Sequence, residues 1–429
     1  MKNILTNFFF LFFLFSSTSL NAVSTNKETY EYLELFGQIF DRVRNEYVDE
    51  VSDEELIEKA IDGMLTGLDP HSGYMDEEVW EEMQLDTKGK FGGLGIEITM
   101  EEGFIKVISP IEDTPAFKAG VLAGDYIIQI NDTPVFGLTL NEAVELMRGK
   151  KGESIIITIS REGLDPFEIE IIRDIIKIQS VKHEIINNVG YIRITSFTEQ
   201  TESGLLKSIE KIKNETNNKQ IGFVLDIRSN PGGLLSQSVK VSDIFLEKGE
   251  IVSTRSRKKT DIQRYRATKG DKINGQPLVV LINNGSASAS EIVAGALQDH
   301  KRAIVIGTKS FGKGSVQTII PFNKNDLNKS ITGIRLTTAR YYTPSGISIQ
   351  AKGIKPDIVI EQGTFESLEY KSISESDLKG SLDSEQANDI NDVKEKDGIE
   401  NRLLKDYQLS RAIDFIHGIN IYNKNISEN

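Results

Sequence analysis

The chain of 429 residues contains no cysteine. This absence excludes disulfide bonds, cysteine-ligated zinc, iron–sulfur clusters and a cysteine nucleophile. Histidine is scarce as well, and no pair of histidines has the spacing of a helical zinc motif. The four histidines are His71, His183, His300 and His417. The sequence therefore disfavours a metal site and offers few candidates for a histidine-based catalytic triad.

Positive charge is also in short supply. Acidic residues number 64 and basic residues 50, so the formal net charge is −14. A general nucleic-acid-binding protein needs a basic face that releases counterions from phosphates, so we predict no nucleic-acid partner. The hydrophobic content of 38% is sufficient for a packed core, and the length predicts two to four domains at roughly 100–200 residues each.

Long apolar runs are missing except at the very start of the chain. A short basic beginning leads into residues 8–15, which are almost entirely Phe and Leu, and small residues follow at 16–22. The run is about half of the roughly 20 residues that span a bilayer. We therefore predict a signal peptide over residues 1–22 that exports the chain, and an uncleaved N-terminal anchor is the alternative.

Hydrophobic periodicity divides the remaining chain into segments. Apolar residues spaced by three and four predict an N-terminal helical region over 28–88. Short strands around one helix occupy 89–173, and strands alternate with helices over 174–362. An acidic, polar stretch predicts a solvated linker over 363–401, and an amphipathic pattern predicts a last helix over 402–418.

A glycine-rich turn opens the second segment. The sequence Phe91-Gly-Gly-Leu-Gly-Ile96 leads into a predicted strand, and its glycines let backbone N–H groups converge. Such a nest can hold a carboxylate, and the strand edge can accept a peptide by β-addition. With Thr114–Ala116, Ala119–Asp125 and a helix at Leu140–Met147, the pattern resembles a PDZ domain; a plain hairpin with an empty groove is the alternative. The residues that this resemblance assigns to peptide binding are Gly93, Leu94, Gly95 and Ile96.

A serine-rich turn follows a buried strand in the third segment. The apolar run Leu278–Ile282 leads into Asn283-Asn-Gly-Ser-Ala-Ser-Ala-Ser-Glu291 and then into an apolar helix. A strand that ends in small residues at a helix N-terminus can present a nucleophile. The pattern leaves open which of the three serines that is, and a serine-rich helix cap without chemistry is the alternative.

The segment Lys309–Gln317 supplies a candidate base. With no cysteine and no suitable histidine nearby, a serine nucleophile would need Lys, Asp or Glu as its base. A neutral lysine can accept the proton only if burial lowers its pKa from about 10.4 towards neutrality. The competing motif, Gly307-x4-Gly312-Lys313, begins like a nucleotide-binding P-loop, but Gly314 stands where that loop needs Ser or Thr. Nucleotide binding is therefore disfavoured.

Together these motifs resemble the carboxyl-terminal processing proteases, which are tail-specific serine peptidases of family S41 with a Ser/Lys centre. Three further stretches match the family: Leu68–Tyr74, Asp226–Gly233 and Tyr341–Gly346. The resemblance covers roughly residues 30–362. It implies a mixed α/β fold with an N-terminal helical region, a PDZ domain over 89–173, an α/β serine peptidase core and a C-terminal helical extension.

The resemblance also implies catalytic roles. It assigns the nucleophile to Ser288, the base to Lys313 and the residue that orients the lysine ammonium to Gln317. The chemistry needs no cofactor and no metal. We interpret Asp226 and Arg228 as structural residues.

The oxyanion donors implied by the resemblance are backbone N–H groups of Ala289 and of Gly232 or Gly233. The pattern of residues agrees, because the glycine-rich exit of the predicted strand Gly222–Ile227 frees amides to point at a developing oxyanion. The sequence does not choose between the two glycines. We interpret His71 as a structural residue of the loop before the PDZ domain.

We therefore predict an exported, periplasmic serine endopeptidase that recognises free C-terminal tails of proteins through its PDZ domain and cuts near that end. One alternative is a PDZ-containing binding scaffold with an inactive peptidase core, which loss of Ser288 or Lys313 would have supported; both residues are present. The other alternative is a non-peptide acyl hydrolase, which the tail-reading domain disfavours. The sequence leaves open an adaptor or activator protein, the identity of the substrates and assembly into a homo-oligomer.

Overall fold

The computed structural model describes residues 24–111, 114–177, 179–258, 260–323, 331–364, 379 and 398–427. The chain forms two compact units, Met1–Tyr74 and Met75–Asn429. The predicted signal peptide at 1–22 and most of the predicted linker at 363–401 lie outside the described residues. No helix in the described ranges combines the length and the apolar character needed to cross a membrane.

Two helices, α1 (Ser24–Glu46) and α2 (Asp53–Thr66), make up most of the described part of the first unit. The hydroxyl of Ser52 accepts the N–H of Glu55 and so caps α2. The helix pattern of α1 is present, but much of its apolar face is exposed rather than packed. The exposed side chains include Tyr32, Leu33, Phe36, Ile39 and Val43.

The loop after α2 is organised by a carboxylate. Asp69 accepts the backbone N–H groups of His71 and Ser72, at 2.8 and 3.0 Å, and the Ser72 hydroxyl at 2.9 Å. A short strand, β1 (Gly73–Met75), follows this turn. His71 thus lies in a turn whose backbone Asp69 holds.

The second unit begins with helix α3 (Glu77–Lys88), which Asp76 caps at its start. Strand β2 (Lys90–Gly93) then pairs antiparallel with β9 (Asp174–Lys177). These two strands enter and leave the segment predicted to be a PDZ domain. Their pairing brings the two ends of that segment together.

A small antiparallel sheet and two helices form the PDZ segment. Strand β7 (Ser154–Ser160) shows why the pattern predicts this fold, because its isoleucines at every second position, Ile155, Ile157 and Ile159, are fully buried. Helix α5 begins at a capping box between Thr139 and Glu142. The strands are β3 (Ile96–Glu101), β4 (Phe104–Pro110), β5 (Tyr126–Ile130), β6 (Thr133–Pro134), β7 (Ser154–Ser160) and β8 (Phe167–Ile172), and the helices are α4 (Pro115–Lys118) and α5 (Leu140–Met147).

A mostly parallel sheet forms the centre of the peptidase core. The strands are β10 (Val181–Ile186), β11 (Val189–Ile194), β12 (Gly222–Asp226), β15 (Leu278–Ile282), β16 (Ile304–Gly307) and β19 (Ile358–Val359). They lie in this order in the sheet, and only β10 runs antiparallel to its neighbour. The helices of the core segment are α6 (Thr201–Glu215), α7 (Leu235–Asp243) and α8 (Ala289–Asp299).

Both faces of the central sheet are covered, which explains its continuous apolar runs. Phe223 and Leu225 of β12 pack in one core with α6, α7 and α8, whereas Val224 packs in a second core with the C-terminal helix. Alternate residues of β15 divide in the same way. A strand that is buried on both faces therefore has a continuous apolar sequence instead of alternating apolar and polar residues.

A second, antiparallel sheet in the core was not predicted. It contains β13 (Glu250–Ser256), β14 (Ile262–Arg266), β17 (Ser315–Asn323) and β18 (Ile331–Tyr342). Within it β17 pairs with β18, β18 with β13, and β13 with β14. Strand β18 mixes Thr and Arg with apolar residues and pairs with β13, more than 80 positions earlier in the chain. Local periodicity carries little information about such a long-range pairing.

The C-terminal extension contains two helices where the pattern predicted one over 402–418. Helix α9 (Gly398–Lys405) ends before Asp406, and α10 (Tyr407–Ser427) begins after it. The Asp406 carboxylate accepts the N–H of Leu409 at 3.1 Å and so caps α10. The prediction of a single helix was wrong, because Asp406 turns the chain towards a distant partner.

That partner is Arg228. Its guanidinium donates to both carboxylate oxygens of Asp406 at 2.7 Å, to both oxygens of Asp226 at 3.0 and 2.7 Å, and to Gln408 at 3.0 Å. Burial opposes ionisation of Asp406, but the bonds from Arg228 outweigh it and hold the pKa of Asp406 below its usual range. A buried, fully paired guanidinium therefore joins the end of β12 to the start of α10.

Replacing Asp406 by Asn should loosen α10, because Arg228 then keeps a full negative charge only on Asp226. We expect Asp406→Asn to lower the free energy of unfolding by about 2 kcal/mol in urea titrations at neutral pH. Asp414→Asn on the same helix is the matched control, since the Asp414–Arg411 pair is exposed, and it should change stability by less than about 0.5 kcal/mol. The difference in free energy of unfolding between the wild type and Asp406→Asn should be complete above pH of about 4. It should disappear as the pH falls through the lowered pKa of Asp406. Equal stability of the two variants would contradict this role.

Candidate active site

Ser288 stands between strand β15 and helix α8 in a strained backbone conformation. Its φ of 54° and ψ of −111° lie in a region that L-residues rarely adopt. The residue is only 8% exposed, so buried surroundings hold the strained backbone in place. A strained serine at a helix start is an arrangement expected of a nucleophile.

The two neighbouring serines are engaged elsewhere. The Ser286 hydroxyl donates to the carbonyl of Ile227 at 2.8 Å, and the Ser290 hydroxyl donates to the carbonyl of Asn230 at 2.9 Å. Both residues are fully buried. Of the three serines in this turn, two therefore tie it to the loop after β12, and Ser288 does not share that task.

A buried carboxylate joins the serine turn to the lysine segment. Oε2 of Glu291 accepts the backbone N–H groups of Ser288 and Lys313, at 2.8 and 2.9 Å. Oε1 accepts the Ser310 hydroxyl at 2.6 Å and the N–H of Gly312 at 2.7 Å. Because one oxygen bonds both amides, the backbones of Ser288 and Lys313 are adjacent although 25 positions separate them.

Glu291 is fully buried, and two opposing effects act on its ionisation. Burial raises the pKa of the carboxyl group above its ordinary range, and the four hydrogen bonds act in the opposite direction. A buried carboxylate without donors would be costly, so each of the four bonds constrains the loop that supplies it.

Gln317 lies on β17, just after an irregularity in its pairing with β18. Its side-chain amide donates to the hydroxyls of Ser315 and Thr337, at 2.9 and 3.2 Å. The bond to Thr337 ties the strand that leaves the Lys313–Gly314 turn to the neighbouring strand β18. The role that the resemblance implied, orientation of the lysine ammonium, stays a prediction.

The loop after β12 contributes backbone amides beside Ser288. The N–H of Gly232 donates to the Asn230 side chain at 2.9 Å and is therefore occupied. The N–H groups of Gly233 and Ala289 donate to no group in the described part of the chain. Gly232 still has a steric role, because a Cβ there, at φ +108°, would lie 2.8 Å from Cβ of Ser288.

The glycine turn of the PDZ segment also leaves amides unoccupied. The carbonyl of Leu94 accepts the N–H of Ala116 at 2.9 Å, and the carbonyl of Gly95 accepts the N–H of Ile111 at 2.9 Å. The N–H groups of Leu94 and Gly95 have no acceptor among the described residues. Gly95 adopts φ +80°, where a Cβ would lie 2.3 Å from that of Thr114. In this turn the two carbonyls are therefore occupied, while the two N–H groups remain available as donors.

An apolar groove runs from this turn between β3 and α5. It has a volume of about 170 Å³. The side chains that form its walls are Ile96, Ile98, Val144, Met147 and Arg148. A groove of this shape, with amides at one end, suits an extended peptide whose last residue is apolar. In the described ranges, no group of three or more His, Asp or Glu side chains is arranged to hold a metal ion.

Comparison with known proteins identifies the family. Three family models match: "Peptidase family S41" over 188–360, "PDZ domain" over 106–161 and "Activating protease CtpB N-terminal domain" over 15–79. A carboxy-terminal-processing protease of Bartonella bacilliformis is 54% identical over 393 residues, which cover 89% of each chain. The chain belongs to peptidase family S41.

Two further relatives have similar descriptions. The carboxy-terminal processing protease CtpA of Bacillus subtilis is 35% identical over 351 residues, which cover 81% of this chain and 72% of that protein. The solved structure of a photosystem II D1 C-terminal processing protease is 27% identical, with a TM-score of 0.45, and the match covers 76% of this chain and 92% of that one. The family models and the Bartonella relative confirm the predicted family and the presence of PDZ and peptidase domains, and the helices and strands of the structure confirm the mixed α/β fold.

Two residues of this S41 peptidase lie within sequence motifs but had no predicted role. Glu291 ended the serine motif, and Tyr341 began the Tyr341–Gly346 stretch. Tyr341 is buried, its hydroxyl faces that of Ser288, and its backbone N–H donates to the carbonyl of Gly314 at 2.7 Å. Burial raises the pKa of Tyr341 to about 12, so the phenol stays protonated at neutral pH and is not a base. From the sequence, the only indication that either residue has a function was its position within a motif of the family.

Replacing Glu291 by Gln tests the link between the two loops. The amide has one acceptor oxygen where the carboxylate has two, and its NH₂ group would face two donors. We expect kcat/KM of this S41 peptidase to fall about 100-fold through misplacement of Ser288 against Lys313, with a loss of about 2 kcal/mol in urea unfolding. Glu210→Gln, at an exposed position of α6, is the control and should change neither quantity. Wild-type kcat/KM in Glu291→Gln would refute the positioning role.

Proposed function

We propose that this S41 peptidase uses Ser288 as nucleophile and Lys313 as base to cut proteins near their C-termini. The observation that carries the proposal is the shared bond of both backbone amides to one oxygen of Glu291. The occupied hydroxyls of Ser286 and Ser290 support the choice of serine. No histidine is needed in this arrangement, in keeping with the scarcity of that residue in the chain.

The chemistry follows from these positions. Neutral Lys313 takes the proton from the Ser288 hydroxyl while its oxygen attacks the scissile carbonyl carbon. The amides of Ala289 and Gly233 hold the oxyanion that forms. Lysine then gives its proton to the leaving amine, and the C-terminal fragment departs. Water, deprotonated by the same lysine, hydrolyses the ester on Ser288, releases the shortened protein and restores both residues.

Substitutions at the two residues test this assignment. Ser288→Ala and Lys313→Ala should each abolish cleavage of a tail-bearing peptide, and the double variant should lose no more than either single one, because the residues act as a unit. Lys313→Arg should be equally inactive, since a guanidinium stays charged at any workable pH.

The matched control for Lys313 is Lys309→Ala, which changes an exposed lysine of the same loop and should retain activity. Circular dichroism and urea unfolding should show that the inactive variants are folded. Retained activity in Ser288→Ala together with loss in Ser286→Ala or Ser290→Ala would move the nucleophile to a neighbouring serine.

We further propose that the PDZ domain captures the substrate's terminal carboxylate on the N–H groups of Leu94 and Gly95. The substrate tail then adds to β3 as an extended strand, with its apolar last side chain in the groove beside α5. The unoccupied amides support this proposal, because converging backbone donors need no basic side chain to hold a carboxylate. The residue chemistry of the groove favours tails that end in an apolar residue.

Amidation of the substrate tests tail capture. A C-terminal amide removes the charge, and we expect kcat/KM to drop about tenfold, which is about 1.4 kcal/mol. Val144→Glu in the groove should remove the difference between acid and amide, whereas Leu146→Gln, on the same helix outside the groove, should keep it. Equal cleavage of acid and amide by the wild-type enzyme would show that the PDZ domain is merely structural.

The place of action remains a proposal as well. We infer export to the periplasm on the signal peptide over residues 1–22, from its basic start, apolar run and small residues. Proteins with free C-terminal tails are the proposed partners. An adaptor or activator protein and a homo-oligomer stay predictions of the sequence.

A further inference from the structure

A cleft of about 680 Å³ lies between the PDZ domain and the peptidase core. The PDZ loop around Thr114, strands β9 and β10, and helix α6 form its walls. Four lysines converge on it from three of these elements: Lys177 of β9, Lys182 of β10, and Lys207 and Lys211 of α6. We call it the lysine cleft.

The lysines of the lysine cleft form no ion pair with another described residue. None of its four ammonium groups has a carboxylate within ion-pair distance among the described residues. Asp174, an acidic residue in the described lining, is paired with Lys151 at 2.7 Å. The whole chain carries a net charge of −14, so this positive concavity contrasts with the protein around it and would attract an acidic ligand.

The cleft also offers a sheet edge. Strand β10 ends the central sheet and pairs on one side with β11. Its other edge pairs with no strand in the described part of the chain. An unpaired edge of this kind can accept an extended peptide through backbone hydrogen bonds. Lysines can also simply protect an edge from aggregation, but that task does not require lysines from β9 and α6 to converge on it.

The position of the cleft links it to both proposed sites. On the PDZ side, the Thr114 hydroxyl donates to the carbonyl of Gly95 in the tail-binding turn, at 3.1 Å. On the core side, Ser180 hydrogen-bonds with Thr201 at 3.1 Å. The loop before α6 also contains Phe197, which accepts and donates backbone bonds on either side of Gly233. A chain bound in the cleft would therefore contact Thr114, which is bonded to the tail-binding turn, and Ser180, which is bonded to the start of α6.

We propose that the lysine cleft is an exosite for an acidic, extended segment of the polypeptide substrate. That the acidic segment belongs to a substrate rests on the proposed function. That the cleft binds an acidic, extended peptide rests on the residues of the cleft alone. Backbone bonds to β10 give the segment its extended form, and the four lysines select Asp and Glu side chains. Substrates with an acidic stretch in addition to an apolar C-terminal residue are then preferred.

Direct binding tests the cleft without cleavage. The probe is a fluorescent peptide of about twelve residues that alternates Glu with Val, amidated at its C-terminus so that the PDZ turn is not engaged. Full-length Ser288→Ala protein should bind it at least about tenfold more tightly than the same peptide with Gln for Glu, and added salt should weaken the binding. Lys207→Glu with Lys211→Glu should abolish this preference. The matched control, Lys248→Glu with Lys269→Glu, makes the same charge change at exposed positions outside the cleft and should keep it.

Kinetics on the otherwise wild-type enzyme connects the exosite to turnover. Two substrates share a free apolar tail and differ in one segment, acidic in the first and Gln-containing in the second. The acidic substrate should have an about tenfold lower KM, and Lys207→Glu with Lys211→Glu should remove that difference while leaving kcat on the neutral substrate unchanged. Equal binding of the Glu-containing and Gln-containing amidated probes would refute the exosite. An equal loss of the preference for the acidic probe in the control variant would refute it as well. Neither result would contradict cleavage near the C-terminus. Failure to cut either substrate would refute the proposed function, and the binding measurement would still decide the cleft.

Discussion

A single buried carboxylate holds together the parts of the candidate active site. Glu291 is excluded from water, so its charge is tolerable only while donors surround it. The donors come from the serine turn on one side and from the lysine loop on the other. Neither loop can move away without leaving a buried charge short of a partner. The bond from the Ser288 N–H to Glu291 and the buried surroundings together hold the strained backbone of Ser288.

The central sheet brings those loops to one place. Strands β12, β15 and β16 are neighbours and run parallel, so their carboxyl ends lie at one edge of the sheet. The loop after β12, the serine turn and the lysine loop start from these three ends in turn. Arg228, at the root of the first loop, pairs with Asp406 of the C-terminal extension. The extension thus stabilises the edge on which the proposed chemistry depends.

Strong local patterns predicted their elements well. Helix α5 was predicted at Leu140–Met147 and is found with those bounds, because the hydrophobic spacing and the cap at Thr139 both lie within a few residues. The second sheet was missed, since β18 pairs with β13 across a long stretch of chain. The break at Asp406 was missed for the same kind of reason, because its cause is a guanidinium 178 positions away.

The sequence by itself determined the family, the order of its motifs and the residue types that the chemistry needs. A serine-rich turn, a glycine-flanked lysine and a glycine nest are local features, and local features can be read from a chain. Only the tertiary structure decided which of the neighbouring serine hydroxyls and glycine N–H groups are already hydrogen-bonded to other groups. Carbonyls of the loop after β12 occupy the hydroxyls of Ser286 and Ser290, and the Asn230 side chain occupies the N–H of Gly232. The serine turn meets that loop only because two parallel strands pair in the folded sheet, and no spacing within the serine motif contains that information.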